Sequence, residues 1–263
     1  MRFIQLMCLC FVLTAQAEGS FKNKLNWQSP IEQVALVELF TSEGCYSCPP
    51  AEQWVNMLKD HSGLFTQFVP MAFHVDYWDH LGWTDALARP AYSQRQRNYQ
   101  QRQQLSQVYT PGMMKNGQEW RDWRKPQKAF NQLQQRQMVG RLSLTTDNQV
   151  ALVKFEPAVK SSLAVRMPEL NVHAAVLQMN LKNTIRDGEN KGKVLQHDFV
   201  VRQQKDWNLA STDWQWQLPF NELQQLISSV PGSQRVLVIW LTEQVNTGTT
   251  TQQLPIQVVA GYL

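Results

Sequence analysis

The chain has 263 residues, with 25 Lys and Arg against 21 Asp and Glu, for a formal net charge of +4. Charged residues make up only 17% of it, so solubility leans on its many glutamines as well as on charge. The length allows one large domain or two ordinary ones, and so small a basic excess leaves no electrostatic footprint for nucleic acid.

Met1-Arg2 is a short basic start, residues 3–13 are an apolar stretch too short to cross a bilayer, and Ala15-Gln16-Ala17 has small-x-small character. Residues 1–17 therefore read as a secretory signal peptide, cleaved after Ala17. The expected product is periplasmic or secreted, with no membrane contact after cleavage. Cys8 and Cys10 leave with the signal, and the mature chain carries Cys45 and Cys48 into an oxidising compartment.

Residues 18–30 show no period and read as a lead-in. Residues 34–40 form an apolar run, as a strand buried on both faces does. Glu38 interrupts it. An ionised carboxylate is costly to bury, so Glu38 either faces solvent, pairs with an arginine, or accepts a proton from Cys48. Cys45-Tyr46-Ser47-Cys48 comes next, followed by a helix over 51–59 with Pro49 and Pro50 in its first turn. Trp54, Val55 and Leu58 give that helix its apolar face.

A Cys-x-x-Cys pair between strand and helix sits where redox chemistry needs it. The helix N-terminus favours an anion and lowers a thiol's pKa. Cys45 is then the exposed nucleophile and Cys48 the inward, resolving cysteine. The same two residues also fit a structural disulfide or half of a metal site. A second apolar run at 68–75 completes a β-α-β unit with parallel strands.

The stretch His74-Val75-Asp76-Tyr77-Trp78-Asp79-His80-Leu81-Gly82-Trp83-Thr84-Asp85 falls at the carboxyl end of that second strand. Open α/β sheets bind ligands at such ends, although a packed aromatic loop has the same composition. Residues 86–108 read as a helix whose Arg89, Arg95, Arg97 and Arg102 make a solvated face, with Tyr92, Tyr99 and Leu105 inward. Pro111, just before another strand, is placed for a cis bond. Asn116-Gly117 is a hairpin turn, and residues 126–138 form a helix.

From 141 onward the texture changes to short strands: 142–146 with 150–155, 172–181, 194–201, 214–218, 236–241 and 256–263, plus a helix near 221–228. This pattern predicts an antiparallel β-sandwich-like unit. The tip Asp187-Gly188-Glu189-Asn190-Lys191-Gly192 lacks the ligand spacing of a calcium loop and reads as a plain hairpin connection. Trp207, Trp214 and Trp216 read as core or surface aromatics rather than as a sugar or peptide groove.

The run from 34 to 40, Cys45-x-x-Cys48, Thr110-Pro111 and the Asn116-Gly117 hairpin resemble the thioredoxin superfamily in order and spacing. More closely, the chain resembles a family of exported bacterial thioredoxin-like proteins classed as a domain of unknown function. The stretches from Glu38 to Ala51, His74 to Asp79 with Gly82-Trp83, Tyr109 to Pro111, and Gly188 to Gly192 with Val200 to Arg202 carry this resemblance. It implies an α/β fold: a thioredoxin-like domain at 18–140 followed by the β-rich unit at 141–263. It also implies a redox pair at Cys45 and Cys48 and a cis Pro111. Departures from thioredoxin itself are Gly44 before the first cysteine, Tyr46-Ser47 between the two, and the position of Glu38.

The function so implied is thiol–disulfide exchange with a protein or small-thiol partner, without a cofactor. Cys45 and Cys48 are the reacting groups and Glu38 moves the Cys48 proton. Thr110, Pro111, Tyr46 and Trp78 contact substrate, and His74 and Asp76 stand behind them. Two alternatives remain. One is copper binding by Cys45 and Cys48 with His74 or His80, Met113 and Met114, a soft ligand set; the other is a binding module whose disulfide is structural.

Overall fold

The computed structural model describes residues 24–263 except 148, 160, 167, 210 and 212. The expected signal peptide, with Cys8 and Cys10, lies outside the described residues. In chain order the elements begin with β1 (Asn26–Gln28), β2 (Ala35–Thr41), α1 (Pro49–Met57), β3 (Phe68–His74), α2 (Pro90–Gln101), β4 (Gly112–Lys115), β5 (Gln118–Glu119) and α3 (Pro126–Gln134). There follow β6 (Gly140–Thr146), β7 (Ala151–Pro157), α4 (Ser162–Arg166), β8 (Leu170–Gln178), β9 (Leu181–Thr184), β10 (Val194–His197) and β11 (Val200–Trp207). The chain ends with β12 (Gln215–Leu218), α5 (Phe220–Ser228), β13 (Arg235–Asn246) and β14 (Thr251–Tyr262). The fold is mixed α/β, mostly sheet with few helices.

One eight-stranded sheet runs β14-β13-β8-β11-β3-β2-β4-β5. β2 and β3 pair in parallel over their whole length, joined by the crossover through α1. β11 joins β3 in parallel at Val200 and Ala72, so strands from both halves of the chain share this sheet. The boundary expected at 140/141 falls within β6, after its first residue, and hydrogen bonding crosses it again at β1, which pairs with β6. The lead-in thus becomes an edge strand of a second sheet, β1-β6-β7-β12. β9 and β10 form a separate two-stranded ribbon.

Side-chain alternation along the strands divides the interior into two cores. In β8 and β13, Val172, Ala174, Val176, Leu237, Ile239 and Leu241 turn toward the four-stranded sheet and pack with Leu142, Leu144, Val153 and Trp216. Ala175, Leu177, Val236, Val238 and Trp240 turn to the other core, shared with β2, β3 and the helices. Trp207, Trp214 and Trp216 are all buried in the first of these cores. All seven residues of β2 are buried, as the apolar run predicted.

Helix limits differ from the sequence reading for local reasons. α1 begins at Pro49, and α2 begins at Pro90, because proline's fixed φ suits a first turn. α2 ends at Gln101 rather than near 108, since Gln103 takes a left-handed conformation (φ 58°). The Asn116-Gly117 turn has φ of 48° and 75°, the mirror-image turn that matches strand twist. Among the described residues no helix is long and apolar enough to cross a membrane.

Candidate functional site

The segment between β2 and α1 is a tight turn: the Cys45 amide donates to the Ser42 carbonyl at 3.1 Å and the Cys48 amide to the Cys45 carbonyl at 3.2 Å. This brings the two cysteines into a disulfide, with Cys48 capping α1. The Thr110–Pro111 bond is cis. Thr110 Oγ1 donates to Cys45 Sγ at 3.2 Å, and Ser47 Oγ lies 3.5 Å from the same sulfur.

Two sequence expectations about this pair need correction. Cys45 is not exposed: neither cysteine has any accessible surface. Nor do first-turn amides reach the sulfur. Pro49 and Pro50 have no N–H, and the Ala51 and Glu52 amides both donate to the Cys48 carbonyl, at 2.9 and 3.2 Å.

The cover over the disulfide comes from the far half of the chain. The ribbon of β9 and β10 carries its tip back across the cysteine turn. Asn190, fully buried, donates Nδ2 to the carbonyls of Glu43 and Cys45, at 2.8 and 3.0 Å. Glu189 accepts the Tyr46 amide at 3.0 Å, and Lys193 sits over the exposed Tyr46 ring at 4.6 Å. From the other side, Trp78 donates Nε1 to Thr110 at 2.8 Å. A Cβ at Gly44 would come within 3.2 Å of Trp78 Cβ, so the missing side chain lets that residue close in. The tip is therefore both a hairpin connection and a cap.

Glu38 is on the other face of the sheet. Alternation turns Thr41 toward α1, where it donates to Glu52, and turns Glu38 toward α2. There Arg95 Nε and the Tyr99 hydroxyl donate to its carboxylate at 2.8 and 2.6 Å. The arginine-paired reading holds, and the Glu38 carboxylate is taken up by Arg95 and Tyr99 rather than by either cysteine. Burial and the Glu38 carboxylate push the Tyr99 hydroxyl well above the usual range, outweighing the neighbouring Arg95. Arg95 is accordingly not part of a solvated face. Asp76 also turns to α2, accepting from Ser93. His80 is exposed, and Met113 and Met114 are buried in β4. Since the cysteines are bonded to each other, the copper set of Cys45, Cys48, His74 or His80, Met113 and Met114 is not assembled.

His74 instead belongs to a cluster the sequence reading missed. Its Nδ1 lies 2.7 Å from Asp85 Oδ2, with both side chains fully buried. His197, at the end of β10, places Nε2 2.9 Å from Glu43 Oε1 and Nδ1 2.5 Å from Glu52 Oε2. The two imidazoles stand edge to face, with centroids 5.0 Å apart. Glu43 also accepts from Trp83 Nε1 at 2.9 Å and Asn183 Nδ2 at 2.7 Å.

Burial works against charge on His197, but Glu52 and Glu43 overcome it and raise its pKa to about 10. Burial likewise opposes ionisation of Glu52 and Asp85; the histidines outweigh it and hold both below the usual carboxylate range. One signal for Glu52 was legible. It lies one helical turn after Cys48, on the inward face that Ala51 and Val55 also occupy. His197 had none, because only the tertiary fold brings β10 to α1.

A larger open groove, lined by Arg89, Arg95, Arg102, His173, Arg202 and Gln253, shares no lining residue with this site.

The pattern of the family described as "Protein of unknown function (DUF1223)" matches residues 36–239. The chain belongs to this family. Two solved structures share the fold. The crystal structure of protein AGR_C_4864 from Agrobacterium tumefaciens is 21% identical with a TM-score of 0.58, over 87% of this chain and 94% of that one. HBP35 of Porphyromonas gingivalis is 15% identical with a TM-score of 0.53, over 89% of this chain and 76% of that one. Comparison with curated proteins finds no match.

Proposed function

We propose that this member of the family is an exported, thioredoxin-like protein that exchanges disulfides with a protein or small-thiol partner through Cys45 and Cys48. The single observation that carries the reading is Thr110 Oγ1 at 3.2 Å from Cys45 Sγ, beside the cis Thr110–Pro111 bond and at the start of α1. A hydroxyl donor there steadies a developing thiolate, and the adjoining backbone offers a partner chain a place to lie.

Exchange begins when the Glu189–Asn190 tip and Trp78 move aside. A partner thiolate attacks Cys45 Sγ; the Cys45–Cys48 bond breaks, and Cys48 leaves as a thiolate. A second partner thiol attacks the mixed disulfide, freeing Cys45 and oxidising the partner by two electrons. Reduction of a partner disulfide is the reverse sequence. Tyr46, exposed next to the pair, meets the partner first.

The test is reduction of the folded protein by a dithiol, followed by insulin reduction with wild type and Cys45→Ser. Turnover by wild type and its loss in Cys45→Ser support exchange. The complete burial of both sulfurs favours a second reading, a structural disulfide. A pair that reduces only once the chain unfolds establishes that reading instead.

A further inference from the structure

We infer that Glu52, His74 and His197 form a binding site for a first-row transition-metal dication, with Zn²⁺ the best fit. Their ligand atoms lie within 4.8 Å of one another, and all three side chains are buried. They come from α1, the end of β3 and the end of β10, so the site ties together elements far apart in sequence.

Two imidazoles and one carboxylate are a recurring donor set for zinc and non-haem iron. What marks this cluster out is the state of each donor. Asp85 engages His74 Nδ1 at 2.7 Å, which puts the hydrogen there and the lone pair on Nε2. That Nε2 is fully buried and has no hydrogen-bond partner among the described residues. Glu43 engages His197 Nε2 at 2.9 Å, which leaves Nδ1 facing Glu52. Thr41 in turn orients Glu52 by donating to its other oxygen, Oε1. Each donor thus has a second group holding it in a ligating orientation, and two of the three are the carboxylate–histidine pairs typical of metal sites.

Charge points the same way. Glu43, Glu52 and Asp85 are three buried carboxylates facing two imidazoles. A dication with two neutral imidazoles balances them as well as two added protons would. A proton added to His74 would sit on Nε2 as an N–H with no acceptor among the described residues, whereas a metal ion bonds to that lone pair directly. Bonds of about 2.0–2.1 Å in a tetrahedron set donors about 3.3 Å apart. Binding therefore requires the Glu52–His197 contact of 2.5 Å to open slightly and the wider separations to close. No cysteine takes part, so the site is independent of the exchange reaction proposed above.

The experiment is equilibrium dialysis of chelator-stripped, disulfide-intact protein lacking residues 1–17 (hence Cys8 and Cys10) against Zn²⁺, with metal counted by mass spectrometry. Co²⁺ is then substituted for its visible spectrum. Expected are one tightly held Zn²⁺ per chain and a low-coordinate Co²⁺ spectrum without a thiolate charge-transfer band. Uptake should be unchanged in Cys45→Ser/Cys48→Ser and in His80→Ala. Asp85→Asn should weaken Zn²⁺ by about 10–100-fold, and Glu52→Gln and His74→Gln by more. Absence of stoichiometric uptake by wild type overturns the site, as does a thiolate band in the Co²⁺ spectrum. Full uptake by folded Glu52→Gln and His74→Gln overturns it too. Should those variants fail to fold, the wild-type Co²⁺ spectrum decides alone.

Discussion

Asn190 donates its side-chain amide to the Cys45 carbonyl at 3.0 Å, reaching from the β9–β10 tip to a residue 145 positions away. The same amide serves the Glu43 carbonyl at 2.8 Å. A loop from the other half of the chain is therefore tied down on the turn that carries the disulfide.

Asn190→Ala strips the buried Glu43 carbonyl of its side-chain donor and leaves the Cys45 carbonyl with the Cys48 amide alone, a cost of about 1–3 kcal/mol. The closed position of the tip weakens by that amount. Reduction of the Cys45–Cys48 bond by a dithiol should speed up about tenfold or more, since about 1.4 kcal/mol is a factor of ten. Urea denaturation and stopped-flow reduction of the same sample check both parts. A destabilised protein with an unchanged reduction rate would show that the tip does not control access.

The Glu38–Arg95–Tyr99 group makes a different prediction. Glu38→Gln removes the charge facing Arg95, which is mostly buried and also stacks near Phe73 and Trp240. An uncompensated buried cation costs about 3–5 kcal/mol, and denaturation should show a loss of that order. The Cys45–Cys48 reduction potential should not move, because Glu38 lies across the sheet from α1. A shifted potential with unchanged stability would restore Glu38 as the proton acceptor.

How much of this was legible beforehand follows from the range of the forces involved. The β2-α1-β3 unit and the Asn116-Gly117 turn are local patterns, and they appear where the sequence placed them. Glu38 shows the limit of such reasoning. The strand was evident, yet only parity along it decides whether Glu38 faces α1 or α2, and parity needs the packing. The sharing of one sheet by both halves depends on a single parallel pairing, Val200 with Ala72, which no local signal announces. The same holds for His197 and Asn190, whose partners lie 145–154 residues away.

The prolines that open α1 set an expectation for the redox poise. With no N–H at Pro49 or Pro50, and with Glu43, Glu52 and Asp85 buried close by, a Cys45 thiolate gains less stabilisation than at an ordinary helix start. A strong oxidant owes its potential to a stabilised reduced form. The potential here should accordingly fall nearer about −270 mV than about −120 mV. Pro50→Ala, which restores one amide, should raise it by on the order of 30 mV, about a tenfold change in the equilibrium constant. Equilibration with glutathione or dithiothreitol buffers measures both. A wild-type value near about −120 mV would contradict this amide accounting.

Alkaline stability supplies the last prediction. Burial raises Tyr92 to about 12, only partly offset by the nearby Arg89 and Arg202, and its hydroxyl donates to the Val201 carbonyl at 2.9 Å. Burial raises Tyr77 to about 12 as well, against the opposing hydrogen bonds of Thr110 and Gln96. In the unfolded chain a tyrosine ionises near pH 10. Between about pH 10 and 12 the folded protein therefore holds protons that the unfolded chain has released. Stability is complete below the unfolded value and falls as pH rises through this window, for Tyr92 by on the order of 3 kcal/mol across two units. Tyrosinate absorbance and circular dichroism, followed together, should show these tyrosines ionising in step with cooperative unfolding. Tyr92→Phe, which keeps the ring and removes the titrating group, should flatten the decline. Tyrosinate signal for all six tyrosines at pH 10 with native dichroism intact would show that these rings are open to solvent.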